Sequence, residues 1–544
     1  MHYGEEMGTF LDDLAHRYGD RRALRDNQVS RDFGEVARRV GTLCANLEEL
    51  LRSNQFGRGE GATSPEPSLA IFAHNSVAYV ELMCAATLLG VPYSPINWHW
   101  SVDELAYVLE DFRPTLLFVD ARGADVARAA LAQVASIPVV ISIDDDRACD
   151  DDWLSYEDLC SGAATPEGAS IASRSAVDLS ASAGSPIFYT SGTTGHPKGV
   201  SALSSARSSV GAFAEMAQMT VERLGLGVAG RVLLDGPIYH SAQWLFCFLP
   251  FVSGFDVVIA DHFDPLQTLE TIESERISVV HLVPTQFVRI LKIAPEVRSA
   301  FDLSSLHRVY HGAAPCPISV KEAMLDLLGD DVLWEYYGAT ESGVVSTISG
   351  SQWREHKGSV GKVTSPVVEI VDDNGELVAN GTSGLILARP SRAFAYLGDP
   401  VKTASVMLRD GMVFVGDIGY RDDDGYLYIS DRRIDMIISG GVNIYPAEIE
   451  SVLYEDPRVV DAAVIGVPDD EYGESVLAVV VLGSEVAASD ELKGEILHLA
   501  RQRLAGYKVP KELEFRPSLP RSLAGKLLKR EIREPYWSAR TSTL

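Results

Sequence analysis

Positive charge is scarce in this sequence: 47 lysines and arginines stand against 76 aspartates and glutamates, a net charge of −29. A chain this acidic repels nucleic acid and anionic lipid, which argues against either as a main partner. Cysteine is sparse as well. The six residues Cys44, Cys84, Cys149, Cys160, Cys247 and Cys316 are scattered, with no Cys-x-x-Cys pair. That argues against a zinc site and a disulfide framework, and for buried free thiols in a reducing cytoplasm. No apolar run reaches the roughly eighteen residues that a transmembrane helix needs, so no membrane insertion is expected. The first ten residues carry Glu5 and Glu6 and lack the apolar stretch of a signal peptide, which predicts a cytoplasmic protein.

What is present is a globular composition, 46% hydrophobic and 23% charged, in 544 residues. That length is too great for one ordinary core and predicts two or more domains. Residues 8–52 read as helical. A Gly/Ser/Pro-rich stretch at 54–68 interrupts the pattern. An apolar strand at 68–73, a helix at 76–90, a helix at 102–111 and a buried strand at 115–119 follow. This βαβ rhythm indicates a mainly parallel, covered sheet and an α/β fold. Residues 144–185 are acidic and then Ser/Ala-rich, which predicts a surface connection. Strand signals dominate 361–425, a β-rich subdomain. After Asp431 the texture changes to helix 446–454, strands 461–467 and 475–482, helix 491–504 and a third strand at 512–516, a small α+β unit. The predicted division is a large domain, 1–430, and a small one, 431–544.

One segment draws attention as chemistry. Ile187-Phe188-Tyr189-Thr190-Ser191-Gly192-Thr193-Thr194-Gly195-His196-Pro197-Lys198-Gly199-Val200 places an apolar strand before a loop of glycines, hydroxyl residues and one lysine. Glycine lets backbone amides approach a ligand closely, hydroxyls and amides bind phosphate oxygens, and Lys198 adds a compact charge. Without a Gly-Lys-Ser/Thr it is not a Walker A loop. By composition alone it is either a phosphate grip or an ordinary turn between strands.

The segment Tyr189–Val200 resembles the signature phosphate loop of the adenylate-forming superfamily, which includes acyl-CoA synthetases, peptide-synthetase adenylation domains and beetle luciferases. Further segments resemble the family's motifs in the family's order, so the resemblance covers essentially the whole chain. Gly312-Ala313-Ala314 is similar to its adenine-contacting turn. Tyr336-Tyr337-Gly338-Ala339-Thr340-Glu341 is similar to its second core motif. There the resemblance implies that Tyr337, before Gly338, stacks on adenine, that Thr340 contacts the α-phosphate, and that Glu341 holds Mg2+, an ion that prefers carboxylate oxygens. Gly416-Asp417-Ile418-Gly419 matches the motif whose aspartate accepts both ribose hydroxyls, a task suited to a carboxylate's lone pairs.

The longest match is Asp431–Glu450. It implies that Arg432 contacts the ribose and that position 434 is the hinge of a swinging C-terminal domain. The family usually places Asp or Lys at that hinge; here it is Ile434, whose β-branching restricts the backbone. Ser439-Gly440-Gly441 resembles the loop beside the pantetheine tunnel. Pro520–Arg530 resembles the last core motif, with Lys526 as its catalytic lysine, a flexible point charge for a transition state in which two anions meet. Pro237–Ala242 resembles the acyl-pocket segment, with His240 lining it and Val344 further along forming an apolar wall. The stretch after Val200 lacks a histidine that many relatives carry.

The resemblance implies an ATP-dependent ligase that converts a small-molecule carboxylic acid to an acyl-adenylate and then to a thioester of coenzyme A, with ATP, Mg2+ and coenzyme A as cofactors or co-substrates. The alternatives are a stand-alone ligase that loads a carrier protein or an amine, one that activates an unusual oxyacid such as nitrite, and a catalytically silent nucleotide-binding protein of the same fold. Monomer and homodimer are both compatible with the sequence.

Overall fold

A computed structural model describes residues 9–53, 67–144, 153–161, 182–190, 197–202, 209–363, 367–390, 393–409, 411–432, 435–439, 442–469, 472–521 and 527–541. The chain divides into two units: one comprises 1–281, 302–308 and 392–405, the other 282–301, 309–391 and 406–544.

In the first unit, strands 69–72, 116–119 and 139–142 lie parallel and in register, flanked by 93–95 and 154–155. Leu69, Ile71, Phe72 and Leu116–Val119 are all buried, as expected of strands covered on both faces. The crossover helix Val77–Leu89 is apolar nearly all round and buried. Ser76 caps it by accepting the Tyr79 amide, and Gly90 ends it in the left-handed region at φ 69°. A Cβ on Gly90 would lie 2.4 Å from the Ser182 carbonyl oxygen, so glycine is required there on two counts. The helix Val102–Phe112 begins at a Ser101/Glu104 capping box. A second parallel set joins Arg22–Arg25, Asp256–Ile259, Arg231–Leu234 and the strand beginning at Val279. A small antiparallel sheet orders Phe394–Tyr396, Lys198–Ala202 and Ile187–Thr190.

Two expectations are corrected here. The predicted helix over 8–52 is two helices, Phe10–Tyr18 and Phe33–Ser53, separated by strands Arg22–Arg25 and Ser30–Asp32. Gly19 stops the first, and Ala23 and Leu24 are fully buried by pairing with the strand at 256–259, a tertiary contact that local periodicity does not register. Within 144–185, the helix Tyr156–Ser161 is anchored in the core rather than lying on the surface: Tyr156 is fully buried, Asn46 donates to the Leu159 carbonyl at 2.6 Å, and Leu159 and Cys160 are buried.

The second unit carries strands 309–311 and 333–339 in parallel, then 343–349, 359–363, 426–432, 412–421, 384–388 and 368–371 in antiparallel order. Its C-terminal part is a sheet of 442–444, 437–439, 473–482 and 459–469, with 512–515 parallel to 473–482. Helices Pro446–Leu453 and Asp490–Arg503 cover one side through Ile449, Leu453, Ile496 and Ala500, and Ile532 of helix Lys529–Thr541 joins a second cluster with Ala463 and Leu477. The five described cysteines are free; four are buried and Cys316 is half-buried.

Candidate active site

The second unit brings three of the expected nucleotide residues together. Asp417 and Arg432 are direct partners across the antiparallel strands 412–421 and 426–432, and Arg432 Nε lies 3.3 Å from Asp417 Oδ1. The Tyr337 hydroxyl donates to Asp417 Oδ2 at 2.6 Å. Asp417 is 6% exposed, so its carboxylate is held by directed donors rather than by water. Burial, followed by the Asp417 charge, pushes the Tyr337 phenol well above its ordinary range, and the proton stays on the tyrosine. Tyr337 itself sits at a register irregularity in the hairpin 333–349, a bulge that re-aims the side chains around Gly338. A Cβ on Gly338 would meet the Gly343 carbonyl oxygen at 2.2 Å, so only glycine closes this hairpin.

Thr340 and Glu341 form the tip of that hairpin. Ser342 Oγ accepts from the Ala339 amide at 3.2 Å and stabilises the turn, which leaves Glu341 half-buried. A carboxylate at a turn tip, able to share an ion with phosphate oxygens and water, fits the donor chemistry of Mg2+. The turn 312–314 is strained: Ala313 adopts φ 64°, unusual for a residue with a side chain, and a Cβ on Gly312 would lie 2.6 Å from the Tyr336 carbonyl oxygen. Beneath it, His311 and Glu335 are buried beside Lys321, whose ammonium donates to Glu335. These three residues tie the strands that lead into the turn and into the Tyr336–Glu341 motif. Their sequence spacing gives no hint of it.

At the start of the small α+β sheet, Asp431 is buried and accepts from the Arg432 amide at 2.7 Å and the Ala447 amide at 2.9 Å. Lys529 is paired at 2.9 Å with the half-buried Glu450. Ser439 pairs with Val442 in the antiparallel strands 437–439 and 442–444. Val344 is 9% exposed, on strand 343–349.

The first unit holds Thr190, Lys198 and His240. Thr190 and Lys198 face one another across paired strands. Burial and the neighbouring Lys402 lower the affinity of Lys198 for its proton, and the Asp399 charge opposes them in part. His240 opens a helical segment, Ser241–Val252, whose middle, Trp244–Phe248, is wound as a π-helix. Asn75, which no motif pointed to, fixes the approach to it: its amide donates to the carbonyls of Gly236 at 2.9 Å and Ala260 at 3.2 Å, and its oxygen accepts from the Ile238 amide at 3.0 Å. Trp244 Nε1 donates to the Tyr93 hydroxyl at 2.9 Å and leans on Phe188, Phe213 and Phe248, an aromatic wall of the segment. Ser191, Gly192, Thr193, Thr194, Gly195, Ile434, Gly440, Gly441 and Lys526 lie outside the described residues.

The family described as AMP-binding enzyme matches residues 11–394, and the AMP-binding enzyme C-terminal domain matches 448–526. An indoleacetate–CoA ligase from Aromatoleum aromaticum is 35% identical over 90% of this chain and 92% of its own. A feruloyl-CoA synthase from an Amycolatopsis species is 33% identical over 94% and 96%. Among solved structures, the amide bond synthetase McbA from Marinactinospora thermotolerans superposes with a TM-score of 0.79 at 28% identity, over 97% of this chain and 99% of that one. The chain belongs to the AMP-binding, adenylate-forming family. It is an ATP-dependent, AMP-forming ligase whose substrates are small carboxylic acids. Among the described residues no helix is long and apolar enough to cross a membrane.

Proposed function

We propose that this enzyme activates a hydrophobic, aromatic-type carboxylic acid and transfers the acyl group to coenzyme A. The observation that carries the nucleotide half is the clamp of Tyr337 and Arg432 on the buried Asp417, a preformed diol acceptor beside an aromatic ring. The acid class rests on the aromatic wall around Trp244 and on relatives named for indoleacetate and ferulate.

In the first half-reaction an oxygen of the substrate carboxylate bonds to the α-phosphorus of ATP, and pyrophosphate leaves with the electrons of the broken bond. Thr190–Gly195 and Lys198 hold the β- and γ-phosphates, and Gly312–Ala314 and Tyr337 the adenine. Asp417 and Arg432 hold the ribose, and Thr340 the α-phosphate. Lys526 neutralises charge as the two anions meet. Glu341 would hold Mg2+, which supplies further charge neutralisation when bound. In the second half-reaction the thiol attacks the acyl carbon, AMP departs, and the Ser439–Gly441 loop leaves room for the thiol arm. His240 and Val344 border the acyl group. In this reading 1–430 binds the substrates and 431–544 swings about Ile434 in the cytoplasm, as a monomer or homodimer.

Pyrophosphate exchange over a panel of aromatic and aliphatic acids tests this reading, and no exchange with any acid refutes it. Lys526→Ala is expected to abolish exchange and to preserve thioester formation from preformed acyl-adenylate; equal loss of both removes Lys526 from its role. An amine acceptor is the second reading, favoured by the likeness to the amide bond synthetase. AMP release that requires an amine rather than coenzyme A establishes it.

A further inference from the structure

Lys198 does not stand alone. The strand Phe394–Tyr396 pairs with Lys198–Ala202, so the chain that follows it is brought alongside Lys198. The Leu397 amide donates to the Gly199 carbonyl at 2.8 Å, and Gly199 leaves space for Leu397, whose Cβ would lie 3.2 Å from any side chain placed there. The helix Pro400–Val406 is then locked back on the strand by Thr403, whose Oγ1 accepts from the Tyr396 amide at 2.9 Å and donates to the Asp399 carbonyl at 2.8 Å. Lys402, on the first turn of that helix, is thereby held near enough to Lys198 for the two ammonium groups to repel.

Asp399 offsets part of that repulsion through its charge, and the carboxylates of Asp399 and Asp111 each accept a hydrogen bond from another group. Asp399 accepts the Lys402 backbone amide at 2.8 Å, and Asp111 accepts the Tyr189 hydroxyl at 2.6 Å. Neither Lys198 nor Lys402 forms an ion pair among the described residues, and both are half-buried. In a protein with 76 acidic side chains, two neighbouring ammonium groups with no carboxylate in ion-pair contact among the described residues, and with only the longer-range charge of Asp399 to offset their repulsion, are an arrangement that an external anion relieves.

We propose that Lys402 is a second phosphate ligand that, together with Lys198, grips the two phosphates of ATP that leave as pyrophosphate. This rests on the reading of Lys198 as a triphosphate ligand. It gives the leaving group two point charges on separate segments, Lys198 on a sheet strand and Lys402 on the helix locked to it. AMP and acyl-adenylate lack the β- and γ-phosphates and gain nothing from Lys402.

That asymmetry is the test. In Lys402→Ala the inhibition constant of inorganic pyrophosphate and the KM of MgATP in exchange are expected to rise about tenfold, the value of one charge-assisted contact. The inhibition constant of AMP, and thioester formation from preformed acyl-adenylate, are expected to stay within about twofold. Lys402→Arg restores most of the pyrophosphate affinity, and Lys402→Glu weakens it beyond the alanine variant. Calorimetric titration with inorganic pyrophosphate reads the same site without turnover, on variants whose thermal unfolding matches the parent. Unchanged pyrophosphate affinity in Lys402→Ala overturns the proposal, and so does a parallel loss of AMP affinity, which marks a structural effect. A parent enzyme that binds pyrophosphate through Lys402 but exchanges it with no acid refutes the ligase reading and leaves the anion site standing.

Discussion

Replacing Asp235 by asparagine is expected to make the enzyme more stable, by an amount that grows as pH rises to about 8. Asp235 follows the strand Arg231–Leu234 and leads into Gly236–His240; it is 3% exposed, and the Thr268 hydroxyl donates to its Oδ2 at 2.8 Å. Burial raises this carboxyl to about 8, with the nearby Asp264 charge adding to the effect and the Thr268 bond opposing it. In the unfolded chain it titrates near its ordinary value of about 4. Between those two values the native state binds the proton and the unfolded state does not, so stability falls as pH rises, by about 1.4 kcal/mol per unit. The accumulated penalty is on the order of 5 kcal/mol above pH 8. Asparagine keeps an acceptor for Thr268 and has no proton to lose. The assay is urea unfolding of both proteins from pH 5 to 9. The advantage of Asp235→Asn over the parent is expected to widen by about 4 kcal/mol from pH 5 to 8 and then level off. His281 does not confound the comparison: burial lowers it to about 3, so it costs stability as pH falls below its ordinary range, but it does so in both proteins. A difference that is flat with pH, or that widens on acidification, refutes the protonated buried Asp235.

Asp417→Asn loses the charge proposed to accept two ribose hydroxyls, and its KM for ATP is expected to rise about thirtyfold, measured by pyrophosphate exchange, with little change in unfolding midpoint. Gly312→Ala places a Cβ 2.6 Å from the Tyr336 carbonyl oxygen, and AMP binding by calorimetry is expected to weaken at least tenfold, on the order of 1.4 kcal/mol. Trp244→Phe removes the bond to the Tyr93 hydroxyl and leaves an apolar ring; the order of preference over the acid panel is expected to shift while the KM for ATP is unchanged. His281→Gln, which cannot charge, is expected to flatten the loss of stability of the parent between pH 6 and 4.

The parallel strands at 69–72 and 116–119 and the helices between them were legible because burial on both faces writes continuous apolar runs, and because Ser76 and Ser101 mark helix starts by side-chain chemistry. The strands 22–25 and 30–32 were not: they are short, rich in arginine, and exist because a distant strand at 256–259 pairs with the first of them. The same division holds at the site. The motifs single out Asp417 and Arg432, whereas the hydrogen bond to Asp417 from Tyr337, 80 positions away in sequence, depends on the order of the strands in the sheet. Asn75 acts through three hydrogen bonds and Lys321 through its contact with Glu335, all fixed by tertiary structure, and nothing in their local sequence announces such work.

The π-wound turn Trp244–Phe248 has a consequence for how the proposed acid pocket can change. A π turn carries more residues per turn than an α-helix, and it reverts to regular pitch when one residue is deleted. Because the turn already holds the extra residue, such a deletion leaves the helix after Phe248 in nearly the same orientation and changes only which side chains the turn presents. The Asn75 anchor on the preceding backbone stays in place as well. A single codon therefore re-cuts the aromatic wall proposed to face the acid without disturbing the elements on either side of it.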